Sequence, residues 1–114
     1  MNSYKTGLFS ELIACAYLRI HGFKILKRRY VTGRNTGRAE IDIIAKRGNL
    51  LAFIEVKHRS NIIKGLEAVT TAQSTRLRRA AETYIANNHW TGDARFDIIV
   101  INSLYKIRWI RGAI

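Results

Sequence analysis

The chain has few acidic residues, a single cysteine and no proline. Eight Asp and Glu accompany 20 Lys and Arg, so the formal net charge is +12 at pH 7. Because Cys15 has no second cysteine to pair with, a disulfide within the chain and a zinc site built on several thiolates are both excluded. No apolar run of about 18 residues is present, so we do not expect a membrane-spanning helix.

The first residues also lack the charged and then apolar order of a signal peptide, and we therefore expect a cytoplasmic protein. What remains is a strong excess of positive charge. Such a surface attracts polyanions through its long-range field and through counterion release, so we expect nucleic acid, and no membrane, as the partner. The length of 114 residues and the hydrophobic share of 47% predict one domain over 1–114.

Periodic segments in the chain predict an α/β fold. Apolar residues recur at helical spacing over 8–20 and over 67–88. In the second of these helices the predicted apolar stripe consists of Val69, Ala72, Leu77, Ala80 and Tyr84. Strands are predicted at 23–31, 40–45, 50–57, 96–101 and 105–110. The order α-β-β-β-α-β-β predicts a mixed central sheet flanked by helices.

Two of the predicted strands carry acidic side chains among isoleucine and valine. Alternation along 50–57 puts Glu55 and Lys57 on one face of the sheet. Charged groups in apolar strands need a partner, and two neighbouring carboxylates repel each other. Mg²⁺ or Mn²⁺ held by Asp42 and Glu55 would resolve both problems. With Lys57 to orient a water or to stabilise developing phosphate charge, the set predicts metal-assisted phosphodiester hydrolysis.

The shared face of Asp42 and Glu55 depends on the register of one hairpin. If the turn pairs Lys46 with Asn49, Asp42 lies opposite Phe53 and on the face of Glu55. A shift by one residue would turn Asp42 to the other face of the sheet. The register is therefore the structural feature on which the site prediction depends.

Two alternatives remain open for these charges. Asp42 and Lys57 could form a plain ion pair across the sheet, with Glu55 at a solvated edge. Glu40 lies opposite Glu55 in the same register and could add a ligand. We favour a rim charge for Glu40, because Arg38 is close enough to pair with it.

Residues 39–45 (AEIDIIA) and 53–57 (FIEVK) resemble the YraN-like family of small bacterial proteins. That family looks like a branch of the restriction endonuclease-like, or PD-(D/E)xK, superfamily and is similar to archaeal Holliday junction resolvases. The resemblance covers nearly the whole chain. It implies a restriction endonuclease-like core, DNA as the substrate, branched or repair intermediates among the forms of DNA acted on, and a homodimer.

The same resemblance implies roles for individual residues. Asp42 and Glu55 would bind the metal, Lys57 would be the catalytic lysine, and Glu11 on the first helix would be an additional acidic ligand. Because Glu11 falls within the first turns of that helix, favourable interaction with the helix dipole is the alternative role.

The chain departs from the pattern of that family at three places. Ala39 stands where glycine is usual, Gln73-Ser74 where Lys-Gln is common, and Arg29-Tyr30 where Arg-Asn is usual. Gln73 falls on the sheet-facing side of its predicted helix, so it could line the site. The alternative for Gln73 is an ordinary polar residue on the helix surface.

The basic surface and the second helix supply the predicted nucleic-acid contacts, which are Arg28, Arg29, Arg34, Arg38, Arg59, Gln73 and Arg76. We expect a structure-selective nuclease. The alternatives are a nucleic-acid-binding module without turnover and a basic subunit of a DNA or RNA processing complex. No zinc spacing or Ser-His-Asp order is present, so His21, His58 and His89 are predicted to be structural or solvated. A core or interface role is predicted for Trp90 and Trp109, and a cap or salt bridge for Asp97.

Overall fold

A five-stranded mixed sheet lies between two helical layers in the computed structural model, which describes residues 3–33 and 38–114. The predicted α/β class and mixed sheet are confirmed. The elements are α1 (Ser3–Ile20), β1 (Lys24–Thr32), β2 (Ala39–Arg47), β3 (Leu50–His58), α2 (Ile62–Glu67), α3 (Thr71–Asn87), β4 (Asp93–Ile101) and β5 (Ile107–Ile110). Among the described residues, no helix is both long and apolar enough to cross a membrane.

The strands lie in the order β1-β2-β3-β4-β5 across the sheet. Strands β3 and β4 are parallel, and every other neighbouring pair is antiparallel. A parallel pair needs a long crossover, and α2 and α3 supply it between β3 and β4. Both edge strands, β1 and β5, therefore have only one neighbour within the sheet.

Each face of the sheet is covered by a different helix. Helix α1 buries Ala14, Cys15 and Leu18 against one face, where Ile43 and Ile54 meet them. Helix α3 buries one side against the opposite face, through Leu77, Ala80, Ala81 and Tyr84, which pack on Ile41, Ile44 and Phe53. Because β3 is covered on both faces, it forms a continuous apolar run that only Glu55 and Lys57 interrupt.

The second predicted helix is in fact two helices, so the expected helix over 67–88 is wrong at its start. The Asn61 side chain caps the short α2, and the Thr70 side chain accepts the Gln73 N–H to begin α3. The predicted stripe holds from Leu77 onwards, whereas Ala72 is exposed. The signal for this break is the N-capping residue Thr70, which helical periodicity alone does not detect.

The register of the β2–β3 hairpin differs by two residues from the predicted one. Lys46 pairs with Leu51 rather than with Asn49, and a two-residue turn of Gly48 and Asn49 joins the strands. Gly48 has a φ of +57°, which glycine adopts without strain. A shift of two residues keeps the side chains of the paired residues on their predicted faces, because the alternation has a period of two.

Strand β2 changes the phase of its alternation at Asp42. Ile41 packs in the layer of α3, whereas Ile43, two residues later, packs in the layer of α1. In a regular strand both would lie on one face. On the neighbouring β1, Arg29 lies opposite this point between two regular pairs and has a φ of +53°. A bulge at Leu26 further distorts β1, so the sheet is irregular beside Asp42.

Candidate active site

The phase change places the Asp42 carboxylate between two strands that are separating. Regular pairing of β2 with β3 ends at Ile43 and Ile54. Beyond that point the backbone N–H of Val56 donates to Oδ2 of Asp42 at 2.8 Å. A side chain thus replaces the next carbonyl of the ladder and satisfies a donor that the strand would otherwise leave unpaired. The irregular strand, rather than parity alone, is what aims Asp42 at β3.

Glu55 is the most buried group of the site, with 5% of its surface exposed. The Nε2 of Gln73 donates to its Oε1 at 3.0 Å, and the Nζ of Lys57 lies 3.4 Å from the same oxygen. The alternative in which Glu55 lies at a solvated edge is therefore wrong. Lys57 pairs with Glu55 rather than with Asp42, and Gln73 lines the site instead of facing solvent.

Burial of the two carboxyl groups makes it unfavourable to ionise both. Burial first, and the charge of Asp42 and a hydrogen bond to it next, raise the pKa of Glu55 to about 8. Burial also raises the pKa of Asp42, although the Val56 N–H acts in the opposite direction. Lys57 lowers both pKa values but does not cancel the effect of burial. At neutral pH the pair therefore shares one proton.

Glu11 lies on α1 at the side of this pair and is bound by another residue. Its carboxylate accepts from Nε of Arg29 at 3.0 Å and from Nη2 at 3.4 Å. It is nonetheless close enough to raise the pKa of Asp42 by its charge. Within the described ranges, no three His, Cys, Asp or Glu side chains are grouped closely enough to hold one metal ion. The role of Glu11 as a ligand therefore stays a prediction.

Two of the predicted nucleic-acid contacts lie in a pocket that Gln73 shares. The pocket has a volume of about 250 Å³ and is lined by Arg38, Glu40, Gln73 and Arg76. Arg38 and Glu40 are exposed, and their charged atoms lie 3.9 Å apart, which confirms the predicted pairing at the rim. The paired part of β2 and β3 ends at Ile43 and Ile54, so the predicted place of Glu40 opposite Glu55 stays a prediction.

The other predicted contacts are spread over the surface. Arg28 is exposed on β1, and Arg29 binds Glu11. Arg59 lines a second pocket, at the far end of β3. Arg34 lies outside the described residues. The structure therefore groups Arg38, Gln73 and Arg76 beside the acid pair, and it does not group Arg28 or Arg59 with them.

Asp97, Trp109, His21 and Trp90 take structural roles, whereas His89 is exposed. Asp97 is fully buried and bound by Arg95, as the salt-bridge prediction expected. Trp109 packs at the α1 face of the sheet, and His21 stacks between it and Tyr17. Trp90 packs in the opposite layer, which confirms its predicted use in the core. None of these side chains reaches the acid pair through a described contact.

Residues 10–101 match the sequence profile of the family described as Uncharacterised protein family UPF0102. A UPF0102 protein of Rhodopseudomonas palustris is 38% identical over 113 residues, which cover 97% of this chain and 84% of the relative. A relative from Chloroherpeton thalassium is 42% identical over 98 residues, covering 83% and 73% of the two chains. A relative from Cytophaga hutchinsonii is 36% identical over 103 residues, covering 89% and 88%.

These similarities carry no activity, metal or substrate, so the relation to restriction endonuclease-like enzymes stays a prediction. They do test the family membership that the motifs in residues 39–45 and 53–57 indicate. The matched segment includes Asp42, Glu55 and Lys57. The chain belongs to the uncharacterised protein family UPF0102, which is the YraN-like family that its motifs resemble.

Proposed function

We propose that this protein is a metal-dependent nuclease that hydrolyses phosphodiester bonds in DNA, branched or repair intermediates included. The observation that supports the proposal best is the buried pair of Asp42 and Glu55, with the Lys57 ammonium 3.4 Å from Glu55. Ionising both acids is unfavourable when no cation is bound. A bound cation would neutralise the negative charge of the two carboxylates. A lysine beside them adds the positive charge that phosphoryl chemistry requires.

The donor set fits Mg²⁺ or Mn²⁺. Carboxylate oxygens are the ligands that these ions prefer, and burial together with the neighbouring Asp42 raises the pKa of Glu55, which a bound cation would lower. When bound there, the ion would supply Lewis-acid stabilisation of the phosphate and a more acidic water. Glu11 is the proposed third ligand, which requires its carboxylate to exchange Arg29 for the metal.

The side chains around the pair have separate tasks in this proposal. The Val56 N–H holds the Asp42 carboxylate, and Gln73 holds Glu55, so both acids are fixed before substrate arrives. Lys57 stabilises negative charge that develops on the scissile phosphate. Arg38 and Arg76, which line the neighbouring pocket, bind flanking phosphates without reading the base sequence.

A cleavage assay tests the proposal. Plasmid, single-stranded and four-way-junction DNA are incubated with purified protein and Mn²⁺, and the products are resolved on gels. We expect cleavage that falls by about 10²-fold in Lys57→Ala, because one charge-stabilising group is lost. Lys24→Ala, which removes an exposed lysine of β1, is the matched control and keeps full activity. If no substrate distinguishes wild type from Lys57→Ala, the enzyme proposal is overturned.

A binding module without turnover is the second candidate, and one observation favours it. Each acid of the site already has a protein partner: the Val56 N–H for Asp42, Lys57 for Glu55, and Arg29 for Glu11. In that case Asp42→Ala would bind DNA as tightly as wild type in a mobility-shift titration, and neither protein would cut it. The cytoplasmic location and the homodimer remain predictions in both cases.

A further inference from the structure

A second pocket opens at the end of the sheet that carries the carboxyl termini of β3 and β4. Its volume is about 290 Å³. Its lining combines three cationic, three small polar and two apolar side chains: Arg59, Ser60, Asn61, Ile62, Val100, Asn102, Lys106 and Arg108. We call it the basic pocket. None of its eight lining residues is acidic, so nothing in the lining neutralises the three cations.

Two asparagines line the basic pocket, and backbone N–H groups bind both of their amide oxygens. The Oδ1 of Asn61 accepts the Lys64 N–H at 2.9 Å. The Oδ1 of Asn102 accepts two backbone N–H groups, those of Leu104 and Lys106, at 2.9 and 3.0 Å. With both oxygens occupied by backbone, the amide NH₂ groups are what these asparagines have left to offer. Donors and cations together make a lining suited to an anion and unsuited to a metal ion.

The cations of the pocket are not consumed by carboxylates elsewhere. Among the residues that the structure describes, the ion pairs involve neither Lys106 nor Arg108, and both side chains are exposed. Arg59 donates to the backbone carbonyl of His58 at 2.7 Å, which fixes its guanidinium without neutralising it. The charge is therefore available to a ligand.

The basic pocket lies on the same face of the sheet as the acid pair. Lys57 is the register partner of Val100 on β4, and Val100 is the partner of Arg108 on β5. Two strand spacings, roughly 10 Å, separate the backbones of Lys57 and Arg108. Helix α2 covers the position between them, because its Gly65 lies against Val100 so closely that an added Cβ would clash. The pocket is therefore next to the proposed catalytic centre but separated from it by α2.

We propose that the basic pocket binds a backbone phosphate of the nucleic acid, away from the bond that is cut. The proposal rests on the proposed function, since it places this phosphate on the same substrate. The pocket lies about two strand spacings from Lys57, and this proximity favours a polyanion long enough to reach both places over a small free phosphate. The pocket is an anchoring point for a segment that passes around α2.

The test compares two variants of equal charge. Lys106→Gln/Arg108→Gln removes two cations from the pocket, and Lys24→Gln/Arg79→Gln removes two exposed cations elsewhere. Anisotropy of a fluorescein-labelled DNA junction is measured in EDTA over a series of salt concentrations, so that no cleavage or metal is needed. We expect the pocket variant to bind at least about tenfold more weakly and the logarithmic salt slope to fall by about 1. The control should lose less than about threefold.

Two results would overturn the proposal: equal losses in both double variants, or wild type that does not bind. A second measurement locates the ligand. In ¹H–¹⁵N spectra, the side-chain amide signals of Asn61 and Asn102 should shift when an oligonucleotide is added. If these signals shift with inorganic phosphate but not with the oligonucleotide, the pocket is a small-anion site and the proposal is also overturned. Mn²⁺ titration of the same variants should match wild type, so failure here is separable from failure of the nuclease proposal.

Discussion

Two regions of this protein bury carboxylates, and they treat them in opposite ways. Asp97 is 0% exposed and accepts four hydrogen bonds, two from Arg95 and one each from Trp109 and Gly112, all between 2.8 and 2.9 Å. Glu55 is nearly as buried but lies beside a second acid, and its pKa is raised to about 8. The two carboxyl groups are buried to a similar extent. They differ in the hydrogen-bond donors and positive charges that surround them.

This difference indicates which buried acids are candidates for a chemical role. A buried acid whose oxygens are fully occupied holds elements together; Asp97 ties the end of β5 and the Gly112 turn to β4. A buried acid pair that is not fully neutralised by neighbouring positive charge retains affinity for a cation that the chain does not supply. The following predictions test whether this contrast is real, beginning with the largest effect.

Asp97→Ala should be strongly destabilising. The substitution removes four accepted hydrogen bonds and leaves the Arg95 guanidinium, which is partly buried, without its partner. We expect a loss of about 3–5 kcal/mol in the free energy of unfolding, measured by urea denaturation. Asp93→Ala removes an exposed acid from the start of the same strand and should change it by less than about 0.5 kcal/mol. Equal effects in the two variants would remove the distinction between the regions.

Glu55→Gln should change how stability depends on pH. The folded-state pKa of Glu55 is raised from 4.5 to about 8, so the folded state binds a proton that the unfolded state releases between these values. Wild type therefore loses stability as pH rises through this window, without metal. We expect the variant to gain about 1–3 kcal/mol relative to wild type between about pH 5 and pH 8.

The measurement is urea denaturation of both proteins in EDTA at several pH values. Glu40→Gln removes an exposed carboxyl group from β2 and should keep the wild-type pH dependence. A constant difference in stability between wild type and Glu55→Gln across the window would show that Glu55 is ionised throughout and would contradict the prediction.

Binding of Mn²⁺ at pH 7 should release about one proton per ion. The proton shared by Asp42 and Glu55 must leave when both carboxylates bind a cation. Calorimetric titration in two buffers of different ionisation enthalpy measures this number, which should fall towards zero at about pH 9. Glu55→Gln should release none. Binding by wild type at pH 7 without proton release would contradict the shared proton.

The sequence was sufficient for the layers of the fold and for the face of the acid pair. Alternation in β3 put Glu55 and Lys57 together, and burial of Leu77, Ala80 and Tyr84 follows from helical spacing. The predicted hairpin register was wrong by two residues. Because this is an even number, the predicted faces of the paired residues were still correct. Local periodicity carries this information, so it can be read from one chain.

What the sequence did not reveal depends on long-range contacts. The positive φ of Arg29 and the pairing of Arg29 with Glu11 both arise where distant segments meet. The basic pocket joins the end of β3 to β5, although α2, α3 and β4 lie between these strands in the chain. No local sequence pattern predicts that Arg59 would line one pocket with Lys106 and Arg108.

The irregular β1 also bears on whether copies of this chain can pair edge to edge. An edge strand of nine residues offers unpaired backbone groups on which another chain could add a strand. Here the bulge at Leu26 interrupts the edge, and the exposed Lys24, Lys27 and Arg28 repel the same strand of a second molecule. The edge is thereby protected against strand-to-strand aggregation, and any homodimer should form through another surface.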